Sequence, residues 1–153
     1  LHNLINFDYD KNSLRNIDKS LTRGAELRFR WENKIINGRV ILRLQEPIDG
    51  QGNPLLRRSK KSLGMNLYKT FKGNTVNFNF STFGKRKDFS KKTLPGYFLV
   101  NIALSRKVSN NVLLNCKIEN IFNKEYFTAS GMSGYYQNQD RSLWLNIKYT
   151  FGR

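Results

Sequence analysis

A single cysteine, Cys116, and a single histidine, His2, are all that 153 residues offer of the soft metal ligands. No disulfide can therefore close within the chain, and no Cys/His cluster is available to hold a metal. Long apolar runs are missing too: nothing approaches the roughly 20 apolar residues with which a helix crosses a bilayer. Acidic residues are scarce, 11 against 27 lysines and arginines, and the resulting charge of +16 raises nucleic acid or anionic lipid as a partner. Catalytic signatures are absent as well. There is no nucleophile elbow, no phosphate-cradling glycine loop, no HExxH and no carboxylate pair beside a histidine, so the chain is expected not to be an enzyme. Its first residues, LHNLINF, lack the basic stretch, apolar core and small-residue cleavage site of a signal peptide, which leaves either a mature chain or a piece of a longer one.

What is present is alternation. In the stretch LWLNIKYTF, Leu143, Leu145, Ile147, Tyr149 and Phe151 fall on one face and Trp144, Asn146, Lys148 and Thr150 on the other, the period of a β-strand. About eight such segments follow one another without a convincing helix. The first is Leu4 to Asp8, closed by a tight connection through DYDKNS. The second is read as one long strand from Leu14 to about Trp31, and the third carries Val40, Leu42 and Leu44. Leu63, Met65 and Leu67 mark the fourth, Val76, Phe78 and Phe80 the fifth, Phe98 to Leu104 the sixth and Val112 to Ile118 the seventh. Connections alternate in length: ENKIING, FKGN and KVSNN are short, whereas QEPIDGQGNP, FGKRKDFSKKTLPG and the stretch from about Asn123 to Asp140 are long. No repeat or low-complexity linker divides the chain, so residues 1–153 are read as one unit.

A soluble antiparallel sheet also alternates, and the 39% hydrophobic content and mean hydropathy of −0.60 look soluble. Low hydropathy does not exclude a membrane barrel, because a transmembrane strand needs only about 10 alternating residues and its polar half lowers the average. Two features favour lipid. The mixed face holds Asn, Ser, Lys, Glu and Arg in strand after strand, while the apolar face holds almost no charge in mid-strand. Aromatic residues, Trp31, Tyr97, Phe122, Tyr126, Tyr149 and Phe151, sit near strand ends, where barrels carry interfacial girdles. The expected fold is an all-β, antiparallel, up-and-down transmembrane barrel, with short turns on the periplasmic side.

These residues carry a resemblance. The final alternating strand ending at Phe151 resembles the closing strand of Gram-negative outer-membrane proteins, which the barrel-assembly machinery reads as its signal. CKIENIFNKEYF, Cys116 to Phe127, resembles the penultimate-strand motif of TonB-dependent receptors through Asn120, Phe122 and Tyr126, and NIDKSLTRGAELRF, Asn16 to Phe29, resembles an earlier motif through Gly24 and Glu26. NPLLRRSK, Asn53 to Lys60, looks like a segment of cobalamin transporters. The resemblance implies the last eight or so strands of a barrel of about 22 strands with a plugged lumen, the plug and its TonB-contacting segment lying outside the chain. It implies import of a scarce nutrient complex across the outer membrane, cobalamin foremost and a ferric siderophore or haem as runner-up, with TonB, the assembly machinery and outer-membrane lipid as partners and no cofactor. Gly152 and Arg153 depart from the family's aromatic terminus.

Each candidate has an ordinary alternative. Arg57 and Arg58 either contact an anionic ligand or line the wall and meet plug carboxylates. Tyr135, Tyr136 and Gln137 offer broad amphipathic contact for a ligand, or form a plain polar loop. Lys85, Arg86, Lys87, Lys91 and Lys92 read as a solvated extracellular loop rather than a nucleic-acid site, because stacking aromatics do not accompany them on one face. Glu26, Arg28 and Arg30 are lumen-facing structural charges, and Cys116 is a small hydrophobe. From another class, a self-contained eight-stranded barrel with a structural or adhesive role predicts a lumen whose charges pair off; a basic soluble β-domain predicts salt-dependent nucleic-acid binding.

Overall fold

Period-two sequence becomes strand almost wherever it occurs in the computed structural model, which describes residues 5–8, 13–16, 19–89, 92–131 and 134–151. Seven strands form one antiparallel meander in strict chain order: β3 (Ser20–Trp31), β4 (Asn37–Asp49), β5 (Lys61–Phe71), β6 (Asn74–Phe83), β9 (Tyr97–Lys107), β10 (Val112–Glu119) and β13 (Ser142–Tyr149). Three small hairpins accompany it: β1 (Ile5–Asp8) with β2 (Ser13–Asn16), β7 (Arg86–Lys87) with β8 (Thr93–Leu94), and β11 (Phe127–Ser130) with β12 (Tyr135–Gln137). No helix occurs among the described residues.

The expected single strand from Leu14 to Trp31 is corrected. Residues 13–16 pair back onto residues 5–8, and the strand of the main sheet begins at Ser20. The connection DYDKNS and the start at Leu4 lie largely outside the described residues. Seven strands rather than eight thus build the sheet, with β3 and β13 as its two edges. β4 also runs further than its loop-like sequence suggests, keeping register through Pro47, which faces Thr22.

Register carries the two-face pattern across all seven strands. Leu27, Leu42, Leu63, Thr82 and Phe98 lie on one side in neighbouring strands; Glu26, Arg43, Ser62, Phe83 and Tyr97 lie on the other. On the polar side Asn66 Nδ2 donates to Asn77 Oδ1 at 3.0 Å, Ser105 Oγ bonds Asn115 Oδ1 at 2.7 Å, and Lys117 pairs with Glu119 at 2.5 Å. Arg28 and Arg43 both grip Glu26, and Arg30 grips Glu32. Gly24 has a steric reason: a Cβ there would stand 2.2 Å from the Leu44 carbonyl oxygen.

The apolar side is open. Among the described residues only Leu94 (0%) and Val100 (6%) are buried large apolar side chains, whereas Leu145 is 68% exposed and Leu143, Ile147 and Phe29 are comparably bare. A soluble sandwich would cover such a face with a second sheet, and the described residues contain none. An apolar belt of this extent is suited to lipid.

Connection lengths alternate as expected. Lys72 and Gly73, with φ of 46° and 76°, make the two-residue β5–β6 turn, positive φ at both positions matching the twist of the strands. Asn33 Oδ1 accepts from the amides of Ile35 and Ile36 at 2.8 and 2.9 Å in the β3–β4 turn. The three long connections, 50–60, 84–96 and 120–141, all leave from the opposite end of the sheet.

Candidate functional site in the long loops

Because the long connections share one end of the sheet, distant sequence meets there. Asp88, buried at 2% exposure, is the meeting point. Its Oδ1 accepts from Arg57 Nε at 2.9 Å and from the Phe89 amide at 2.9 Å; its Oδ2 accepts from the Ser130 amide at 2.5 Å and the Ser130 hydroxyl at 2.9 Å. One carboxylate thus ties the first, second and third long loops together. Burial alone pushes this carboxyl group up, but the Phe89 amide, Ser130 and the Arg57 guanidinium outweigh it and hold the group below its ordinary value.

Arg57 is correspondingly fixed. It adopts φ of 60°, its amide donates to the Lys87 carbonyl at 2.7 Å, its Nη2 reaches the Ser130 carbonyl at 3.4 Å, and its guanidinium lies 5.0 Å from the Phe89 ring centroid. Within this chain the carboxylate that Arg57 meets is Asp88. Arg58 is exposed and separate from this cluster. Upstream in the same loop, Asp49 Oδ1 accepts from the amides of Gln51 and Asn53, and Pro54 bridges back to Ile48.

A second cluster lies beside the first. Arg86, 7% exposed, donates from Nη2 to the Phe127 carbonyl and stacks at 4.9 Å on the Tyr97 ring, which in turn packs on Tyr126 at 4.7 Å. This overturns two expectations. The basic run is not wholly solvated, since β7 and β8 fold Arg86 inward; Lys91 lies outside the described residues. Tyr97 and Tyr126 are not girdle residues either: Tyr97 faces Phe83 on the polar side of the sheet. Burial also raises the Tyr126 hydroxyl above its ordinary value, with Glu119 adding to the effect. Phe122, by contrast, is exposed and packs edge-on against Phe98 on the apolar side, as a girdle residue would.

Tyr135, Tyr136 and Gln137 form β12. Tyr135 faces Ser130 across the hairpin, packs on Phe127 at 5.0 Å and lies under Lys92 Nζ at 5.9 Å; Lys92 also donates to the Gly131 carbonyl at 3.0 Å. Tyr136 rests its hydroxyl over Gly131, where a Cβ would come within 2.9 Å of it. Gln137 Nε2 donates to Asp140 at 3.3 Å. The structure therefore brings Arg57 and Tyr135 together through Ser130 and leaves Arg58 apart.

The motif residues have local work to do. Asn120 adopts φ of 49°, accepts from the Lys124 amide at 2.8 Å and donates to the Lys124 carbonyl at 2.9 Å, so its side chain closes the NIFNK turn at the head of the third long loop. Its own amide donates to Asn101 Oδ1 at 2.9 Å, pinning that turn to β9. Along β13, Leu143, Leu145, Ile147 and Tyr149 stand exposed on one face, and Phe151 beyond it packs on Tyr149 at 4.8 Å. Asp88 and Ser130 escape the sequence reading, since a carboxylate within a basic run carries no local signal of burial, and Arg86 enters it only as one cation of that run. Among the described residues no group of His, Cys, Asp and Glu is arranged to hold a metal ion. The arrangement offers hydrogen bonds, cations and aromatic faces, which suit recognition.

No family model matches the sequence. The vitamin B12 transporter BtuB of Vibrio cholerae is 27% identical over 159 residues, covering 99% of this chain and 25% of the relative, so the chain spans about a quarter of that protein's length. Among solved structures, the copper transporter OprC superposes with a TM-score of 0.81 at 15% identity, over 97% of this chain and 26% of that one. The ferric yersiniabactin uptake receptor FyuA from Yersinia pestis does so with a TM-score of 0.78 at 15% identity, over 92% and 25%.

Proposed function

We propose, from a chain that resembles TonB-dependent receptors in sequence and in the fold of their barrels, that it forms the C-terminal part of the barrel wall of such a receptor in the outer membrane of a Gram-negative bacterium. The receptor imports a scarce nutrient complex, cobalamin being the favoured cargo. Long loops capture the solute at the barrel mouth; a plug outside this chain, moved by TonB, then opens the lumen. No step makes or breaks a covalent bond, and the protein is not an enzyme. The observation that carries the reading is the seven-stranded meander with one bare apolar face and one hydrogen-bonded polar face, joined to similarity with a vitamin B12 transporter over 99% of the chain. In this reading the apolar face meets lipid and the polar face lines the lumen. β13 with Phe151 is the segment recognised by the assembly machinery, and Arg57, Arg58, Tyr135, Tyr136 and Gln137 belong to the ligand-capturing loops.

A ferric siderophore or haem is the second reading; among the solved neighbours, FyuA is a ferric yersiniabactin uptake receptor and OprC a copper transporter. Labelled cyanocobalamin uptake by the full-length gene product separates them, in cells whose own cobalamin receptor is deleted and with TonB present or absent. TonB-dependent uptake supports the first reading. Absence of corrinoid uptake, with ferric siderophore uptake in its place, replaces it with the second. A self-contained eight-stranded barrel is disfavoured by the sheet itself, whose edges β3 and β13 do not pair among the described residues.

A further inference from the structure

We propose that Arg86 is a buried subsite for one anionic oxygen, phosphate or carboxylate, carried by the solute at the receptor mouth; this deepens the receptor reading and rests on the polar face lining the lumen. The starting point is a donor with nothing to bind. Arg86 is 7% exposed, and its Nη1 has no hydrogen-bond partner among the described residues. A guanidinium cannot shed its proton to escape burial. A buried cation is stable only when paired, so the group calls for an anion.

Among the described residues no carboxylate pairs with Arg86. The carboxylate next in sequence, Asp88, has both oxygens filled by four donors from Arg57, Phe89 and Ser130. Among the described residues Arg86 itself holds the neutral Phe127 carbonyl and the face of Tyr97. Position then selects among sources. Tyr97 opposes Phe83, in the same alternation as Asn79, Asn101 and Ser81, so this corner belongs to the polar side at the long-loop end. Tyr97 and Tyr126, stacked at 4.7 Å, add an aromatic wall beside the cation. A planar fork with one arm unoccupied matches the geometry of carboxylate and phosphate oxygens.

The test uses the full-length receptor with Arg86→Gln and Arg86→Lys, each checked for folding by heat-modifiable migration. Its probes are cyanocobalamin, which carries a phosphodiester, and cobinamide, which lacks it. Arg86→Gln is expected to weaken cyanocobalamin binding about ten- to a hundred-fold, the worth of a charge-assisted hydrogen bond, and to leave cobinamide within about two-fold. Arg86→Lys should fall between. Equal loss of both probes in a folded variant would assign Arg86 to a carboxylate of the receptor instead, and unchanged binding of both would remove the subsite; either overturns the proposal. Inorganic phosphate supplies an arm that does not depend on corrinoids. Phosphate should raise the thermal midpoint of the wild type and not that of Arg86→Gln. If the wild type binds neither corrinoid, the cobalamin reading fails on its own; phosphate stabilisation that depends on Arg86 would then still uphold the subsite, and its lack would end it.

Discussion

Gly24 and Asn120 show how single letters of this sequence acquire their meaning. At Gly24 the β4 backbone passes so close that a Cβ would stand 2.2 Å from Leu44 O and 2.7 Å from Gln45 Cα. Both are backbone atoms and cannot swing aside. Gly24→Ala should therefore cost about 1–3 kcal/mol, the usual range for overpacking, read as a lower urea midpoint of the refolded protein; an unchanged midpoint would show that the strands part freely. Asn120 combines a positive φ, which asparagine tolerates better than most residues, with a buried amide that bonds the Lys124 main chain in both directions. Asn120→Ala loses both advantages, whereas Asn120→Gly keeps only the backbone freedom. Limited proteolysis between residues 120 and 141 should thus accelerate in the order wild type, glycine, alanine, and equal rates for the two variants would exclude the backbone contribution. Motif similarity marked both positions in the sequence, but their reasons became visible only with β4 and Lys124 in place.

Among elements, strands were legible and loops were not, for one physical reason. Alternation is a local property of consecutive residues, so Leu63, Met65 and Leu67 declare their common face without reference to anything distant. β2 merges with β3 in the sequence because residues 14–31 alternate without a turn signal. Loop structure, by contrast, depends on Arg57, Asp88 and Ser130, separated by 31 and 42 residues, and no periodicity links them. The same contact predicts a pH response. The Asp88 carboxyl group in the closed loops lies below its ordinary value of about 3.9, so opened loops bind more protons in the interval between the two values. Loop closure is then fully stabilised above about pH 4 and is lost as pH falls through the closed-state value. Protection of the amides of residues 84–89, 92–96 and 127–131, taken relative to each amide's intrinsic exchange rate, should be high at pH 7 and at pH 5, and should fall below about pH 4. Asp88→Asn keeps the size of the side chain but turns an NH2 group toward existing donors. It should exchange fast at every pH, and a variant protected like the wild type would show that Asp88 does not hold the loops.

For the whole molecule the decisive quantity is the unpaired edge. β3 runs 12 residues and β13 runs 8, and among the described residues each has a neighbour on one side only. About half of the backbone N–H and C=O groups along each edge face away from the partner strand. In lipid or a detergent core each unsatisfied group costs several kcal/mol, so the two edges together cost on the order of tens of kcal/mol, more than the 5–15 kcal/mol by which a typical domain is stable. The hydrogen bonds of the polar face cannot offset such a sum, because pairs such as Asn66–Asn77 and Ser105–Asn115 contribute about 1 kcal/mol each. Residues 1–153 expressed alone and transferred to detergent should therefore associate edge to edge or aggregate, whereas the full-length gene product should not. Size exclusion with light scattering decides the matter. Oligomers that disappear when a separate chain supplies further barrel strands would establish the sheet as a wall segment in need of neighbours. A protease-resistant monomer would mean that β3 and β13 have closed on each other, and would revive the small autonomous barrel.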